Sequence, residues 1–210
     1  MNRRSFASTM VAFFTIAAMQ TASAAERVQT DSDKAMAYIE LLGEQAVEVL
    51  RDADTPVETR EAGVQKLLQE NLDLKSMGQF ALGATWRTAS PEDRTAYLDL
   101  FSEYVVRSYA RRLGGYSNQT FSVLGSGPAG KYDTLVSTAI VTADQPDIKA
   151  GWRVKTLPDG SLKIIDLVVE GVSMLQTERA QFESVMQKDG LPGLIASLQD
   201  RLERIAAQSS

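Results

Sequence analysis

Two carboxylates and two phenols are the side chains of this sequence with the most evident chemistry. Asp166 interrupts an apolar run, Leu162 to Val169, and Glu170 follows that run directly. Tyr104 and Tyr109 sit in a segment with helical apolar spacing. A carboxylate base beside a phenol donor is the equipment of isomerase- or hydratase-type proton transfer. Little else is available. The chain has no cysteine and no histidine, which excludes disulfides, thiol nucleophiles and thiolate metal sites. The usual general base and commonest metal ligand go with them. Most hydrolase mechanisms are thereby removed, and no cofactor, metal site or catalytic residue is expected.

The element that carries Asp166 decides how it is read. Pro158-Asp159-Gly160 separates a strand, Ala150 to Leu157, from the strand Leu162 to Val169, and Asp-Gly between strands is a hairpin signal. A two-residue loop there pairs Val154 with Ile165, Arg153 with Asp166 and Trp152 with Leu167. Trp152, Val154, Ile165, Leu167 and Val169 then share one face, and Arg153 meets Asp166 on the other. Asp166 is accordingly expected to be a structural ion-pair partner of Arg153, with catalysis the alternative. After Val169 the run stops at Glu170-Gly171-Val172, where Gly171 suits a turn with positive φ. Ser173 and Gln176 form a capping box that starts a helix.

The remaining elements follow from periodicity. Asp31 or Ser32 caps a first helix to about Arg51, and Thr55-Pro56-Val57-Glu58 is a second capping box with Pro at the first helical position. A short helix covers Leu72 to Leu82. The most amphipathic segment, Pro91 to Leu113, aligns Tyr97, Phe101, Tyr104, Val105 and Tyr109. Period 2 then takes over, with strands at Thr120–Leu124 and Thr134–Thr142 before the hairpin. Two closing helices are split at Gly190. The order of helices, four antiparallel strands and helices is an α+β layout.

Residues 1–24 read as a secretory signal: Arg3 and Arg4, an apolar stretch from Phe6 to Met19, then Ala22-Ser23-Ala24. Asn2-Arg3-Arg4-Ser5-Phe6 also resembles a twin-arginine signal. The stretch is shorter than the roughly 20 residues of a membrane span. Residues 25–210 are expected to form one domain. Without Arg3 and Arg4 they carry 20 basic and 27 acidic residues, a balance that disfavours nucleic acid and anionic bilayers.

The corner IIDLVVEGVSMLQTERAQF resembles the signature of the MlaC family, periplasmic phospholipid-binding proteins also described as toluene-tolerance auxiliary components. Its pattern Asp-x-x-x-Glu-Gly-Val-Ser falls here on Asp166, Glu170, Gly171, Val172 and Ser173. Two further stretches match in order: Leu82 to Glu92 followed by Phe101 and Val106-Arg107-Ser108-Tyr109, and Gly190-Leu191-Pro192-Gly193-Leu194-Ile195. The resemblance implies a curved sheet wrapped by helices in a cone-shaped, nuclear-transport-factor-like fold. It implies a periplasmic carrier that shuttles glycerophospholipid between an outer-membrane lipoprotein–porin complex and an inner-membrane ABC transporter with a lipid-binding ring. One branch of the family is associated with hopanoids, which leaves the cargo open.

Under that reading the apolar face Trp152, Val154, Ile165, Leu167 and Val169 is expected to meet Phe101, Tyr104, Val105 and Tyr109 across an acyl-chain cavity, with both tyrosines near the rim. Arg153, Asp166, Gly171 and Ser173 are expected to be structural, and the carrier to be a monomer. An enzyme using Asp166 or Glu170, or an adaptor that binds only proteins, are the competing classes.

Overall fold

The computed structural model describes residues 12–52, 54–114, 120–130, 132–142 and 145–208. Helices α1 (Ala12–Leu50), α2 (Val57–Asn71), α3 (Leu74–Leu82), α4 (Thr85–Thr88) and α5 (Pro91–Gly114) come first. Strands β1 (Thr120–Pro128), β2 (Asp133–Thr142), β3 (Gln145–Thr156), β4 (Leu162–Val169) and β5 (Val172–Ser173) follow, then α6 (Met174–Ala207). The strands form one antiparallel sheet in sequence order. The α+β layout is therefore present, with a fifth, two-residue strand beyond the four expected.

Helix starts differ from expectation for local reasons. α1 passes without a break through Asp31 and Ser32, and Ser32 is buried within it. The residues ahead, rich in Ala with Glu26 and Arg27, are good helix formers, so nothing obliges the helix to start at the cap. Pro56 is the N-cap of α2 and no side chain caps it. Thr55 instead turns its hydroxyl back to Asp52 Oδ2 at 2.8 Å, and Asp54 N–H donates to Asp52 Oδ1 at 3.0 Å. Leu72 and Asp73 precede α3 because they are held by β4: Leu72 bridges Ile164, and Asp73 N–H donates to the Ile164 carbonyl at 2.9 Å. Asp73 then caps α3 through Ser76 N–H, and Ser90 caps α5 through Asp93 N–H. α6 is broken at Gly190, whose φ of 68° and ψ of −172° no helix contains.

The β3–β4 ladder pairs Arg153 with Asp166 and Trp152 with Leu167, but beyond them Val154 pairs with Ile164. Ile165 is the extra residue of a bulge, and the turn beyond it is longer than two residues, closed by Leu157 N–H to the Ser161 carbonyl at 2.8 Å. Ile164 consequently takes the sealed inner position expected for Ile165, and is 0% exposed.

The inner face of the sheet carries Val136, Trp152 and Leu167 in one row, since directly paired residues share a face. α1 lies along β1 and β2 on this side, close enough that a Cβ on Gly43 would stand 2.2 Å from the Phe121 ring. α5 packs on α2, α3 and α6. Its Tyr97 and Phe101 meet Phe182 of α6 in an aromatic cluster with ring centroids 5.7 to 6.3 Å apart.

The passage from sheet to α6 is the most specified corner. Glu170 and Gly171 both have positive φ, 48° and 81°, and turn β4 into β5 in two residues. Ser173 Oγ accepts from Gln176 N–H at 3.0 Å, capping α6, and donates to Asp166 Oδ2 at 2.6 Å. Ser173→Ala removes the cap and a charge-assisted bond together, and is expected to cost about 2 kcal/mol. Gly171→Val forces a β-branched residue to positive φ and should cost on the order of 1–3 kcal/mol. Urea melts of each variant test both; midpoints equal to wild type would contradict the corner as described.

Candidate functional site

The two acids of the corner are fixed by backbone and hydroxyl donors. Asp166 is buried, 6% exposed, and takes Ser173 Oγ on one oxygen and Leu175 N–H on the other, at 3.1 Å. Glu170 Oε1 accepts from Lys149 N–H at 2.7 Å while its own N–H donates to the Lys149 carbonyl at 3.0 Å, clamping the turn to β3. Neither has a hydrogen bond to Tyr104 or Tyr109.

The expected Arg153–Asp166 ion pair is not formed, although the ladder sets the two residues opposite each other. Arg153 reaches instead to Asp133 at the start of the neighbouring strand β2, with Nη2 at 2.7 Å and Nε at 3.1 Å from the same oxygen. The adjacent bulge and the start of α6 give Asp166 closer donors than a strand neighbour could. Its role is therefore structural by a different contact from the one expected.

The residues expected to line a cavity divide into two groups. Phe101, Val105 and Val154 are sealed, at 0%, 1% and 2% exposure. Phe101 spends its ring on Tyr97 and Phe182. Trp152, Ile165, Leu167, Val169 and Tyr104 are half-buried. On the inner face the sealed residues Val136, Val154 and Ile164 lie together, while Trp152, Leu167, Val169 and Ile148 on the same face are half-buried around the sealed Ala150 and Thr138. Trp152 is held flat to its own sheet by Nε1 donating to Thr138 Oγ1 at 3.0 Å.

The tyrosines part company as well. Tyr104 is half-buried and donates to Glu178 Oε1 at 3.2 Å, while Arg201 Nη1 donates to its oxygen at 3.2 Å. Tyr109 is buried rather than at a rim, 5% exposed. Glu178 and Arg201 were not singled out by sequence, yet Glu178 falls between Leu175 and Phe182 on the apolar stripe of α6, and that is the signal that marks it. Arg201 returns to it after the break at Gly190, with Nη1 3.7 Å from Oε2. Burial raises the pKa of Glu178 above the ordinary carboxylate value, opposed by Arg201, the Tyr104 hydroxyl and Arg112.

A raised carboxylate pKa fixes a sign. Between the ordinary value and the raised one, the folded state binds more protons than the unfolded state, so stability falls as pH rises through that window. Glu178→Gln has no such proton to lose. Thermal melts across pH 4 to 8 should show wild type losing ground to Glu178→Gln as pH rises; wild type gaining on the variant would contradict the burial account.

Comparison with known proteins places this architecture. The family model described as MlaC protein matches residues 42–200. The chain is 27% identical over 132 residues to the intermembrane phospholipid transport system binding protein MlaC of Haemophilus influenzae, an alignment covering 61% of each protein. It thus spans less than two thirds of that relative's length. The fold is similar to that of a phospholipid-binding protein from Ralstonia solanacearum, solved in complex with a phospholipid. That match has a TM-score of 0.71 at 24% identity and covers 81% of this chain and 98% of the other. With the family model spanning most of its length, the chain belongs to the MlaC family.

Proposed function

We propose that this chain is a periplasmic carrier of glycerophospholipid, exported by the signal in residues 1–24 and working as a monomer. It holds acyl chains against the inner face of the sheet and moves lipid between an outer-membrane lipoprotein–porin complex and an inner-membrane ABC transporter with a lipid-binding ring. The observation that carries the reading is the set of half-buried apolar side chains on that face, Trp152, Leu167 and Val169. The Haemophilus relative's name and the phospholipid in the Ralstonia structure support the same cargo.

The energetics require such a surface. Two acyl chains hold about 30 methylenes, and exposing them to water costs on the order of 20 kcal/mol at roughly 0.8 kcal/mol each. A carrier must offer an environment nearly as apolar as a bilayer, so that loading and release are both close to balance. The sealed residues supply the rigid frame. The half-buried ones supply contact area that a chain covers and then vacates.

The half-buried and the sealed residues of the face give opposite expectations for the same substitution. Wild-type protein, extracted under denaturing conditions and assayed by lipid mass spectrometry, should yield phospholipid. Val169→Trp fills space among the half-buried residues and should remain folded with most of that lipid gone. Val154→Trp overpacks the sealed group and should lose roughly 1–3 kcal/mol of stability. A wild type without lipid, or Val169→Trp with its full complement, would contradict the proposal.

A further inference from the structure

Among the described residues Tyr109 is the buried phenol left without an acceptor. Its hydroxyl has no hydrogen-bond partner although the residue is only 5% exposed. Among the described residues the other buried or half-buried tyrosines are answered: Tyr97 by the Gly78 carbonyl at 3.0 Å, Tyr104 by Glu178, and Tyr38 by Asn71 Oδ1 at 2.8 Å. A buried phenol without a partner costs desolvation with no return, and native proteins rarely leave one so.

The charges around it define what could answer it. Glu178 and Asp166 are the nearest acids in influence, and Arg112 opposes them less strongly. Asp166 accepts from Ser173 and Leu175, and Glu178 Oε1 from Tyr104, and neither carboxylate accepts from Tyr109. Glu178 Oε2 makes no hydrogen bond and faces Arg201 instead. A phosphate or carboxylate brought to Tyr109 would stand against two carboxylates. An uncharged acceptor would not. The flanking residues on α5, Val105, Val106 and Ala110, are buried and apolar, which suits an acceptor carried on hydrocarbon.

We propose that Tyr109 Oη donates to an ester carbonyl of the bound lipid, making Tyr109 a specificity-determining residue that selects acyl esters over ether-linked or purely hydrocarbon lipids. The inference rests on the phospholipid-carrier reading and adds to it the part of the lipid that is recognised. The ester lies between head group and chains, so one donor at this depth reads the linkage and ignores the head group.

The test uses delipidated full-length protein and two probes, dioleoyl phosphatidylglycerol and its diether analogue with the same chains. Wild type should bind the diester about three- to tenfold more tightly, the worth of one neutral hydrogen bond. Tyr109→Phe should bring the two affinities together by weakening the diester alone. Lipid-free Tyr109→Phe should melt no lower than lipid-free wild type, because it removes an unanswered donor. Equal affinities in wild type, or a preference that survives in Tyr109→Phe, overturns the inference and leaves the carrier intact. A lower melting point with unchanged preference, or a variant that does not fold, also overturns it, since the hydroxyl then serves the protein's own structure through a water to Glu178. Failure of wild type to bind either lipid removes the carrier reading and the inference together.

Discussion

The carboxylate of Asp166 is the tie on which the arrangement of sheet and helices depends. It is buried within β4 and held by Ser173 Oγ and Leu175 N–H, both from the start of α6. A carboxylate at a helix N-terminus meets free N–H groups and the positive end of the helix dipole together. A buried charge without them would cost several kcal/mol, so the position of α6 relative to β4 is tightly specified. The direction in which α6 leaves the sheet in turn sets Glu178 and Phe182 against α5. The aromatic cluster with Tyr97 and Phe101 and the bond from Tyr104 to Glu178 both follow from that direction. Glu170 and Gly171 make the tie possible by reversing the chain in two residues and clamping the turn to Lys149.

A frame fixed at that corner can leave part of its apolar face uncovered without falling apart. The sealed block of Val136, Val154, Ile164, Phe101 and Val105 provides the burial that a domain of this size needs, each large side chain contributing roughly 1.5–3 kcal/mol. Trp152, Leu167 and Val169 extend the same sheet face but are only half-buried. An ordinary core would have closed over them with larger helix side chains. Their partial cover has a cost in lost burial, and on the proposed reading an acyl chain recovers it. Because the chain contributes burial similar to what it leaves in a bilayer, exchange does not require the frame to open widely.

Much of this was readable from residue order, and the misses have physical causes. The signature acids, the Gly171 turn, the Ser173 cap and the break at Gly190 are local devices whose chemistry acts over a few residues. The pairs Arg153–Asp166 and Trp152–Leu167 follow from a two-residue turn, and they hold because the extra residue at Ile165 offsets a turn one residue longer. The bulge itself was not readable, because nothing in an apolar run distinguishes an extra residue from a longer turn. The partner of Arg153 differs for a related reason: β3 is flanked by β2 as well as β4, and the arginine turns to Asp133 on β2. Glu178 and Arg201 are 23 residues apart in the sequence and meet only because α6 folds back at Gly190, at a separation of 3.7 Å. Tyr104 and Tyr109 looked alike on one helical stripe. Their difference depends on which acceptors α6 presents, and periodicity carries no information about that.

On the proposed reading acyl chains lie against Trp152. The chain has two tryptophans, and Trp86 belongs to the short helix α4, where Arg94 stacks on its ring at 5.3 Å. Fluorescence of Trp86→Phe and Trp152→Phe variants, loaded with phospholipid brominated along its chains, separates the two positions. Strong quenching of Trp152 with Trp86 unaffected is the predicted result. Equal quenching of both, or none at Trp152 in protein that has taken up the brominated lipid, would show that the chains lie elsewhere and contradict the account.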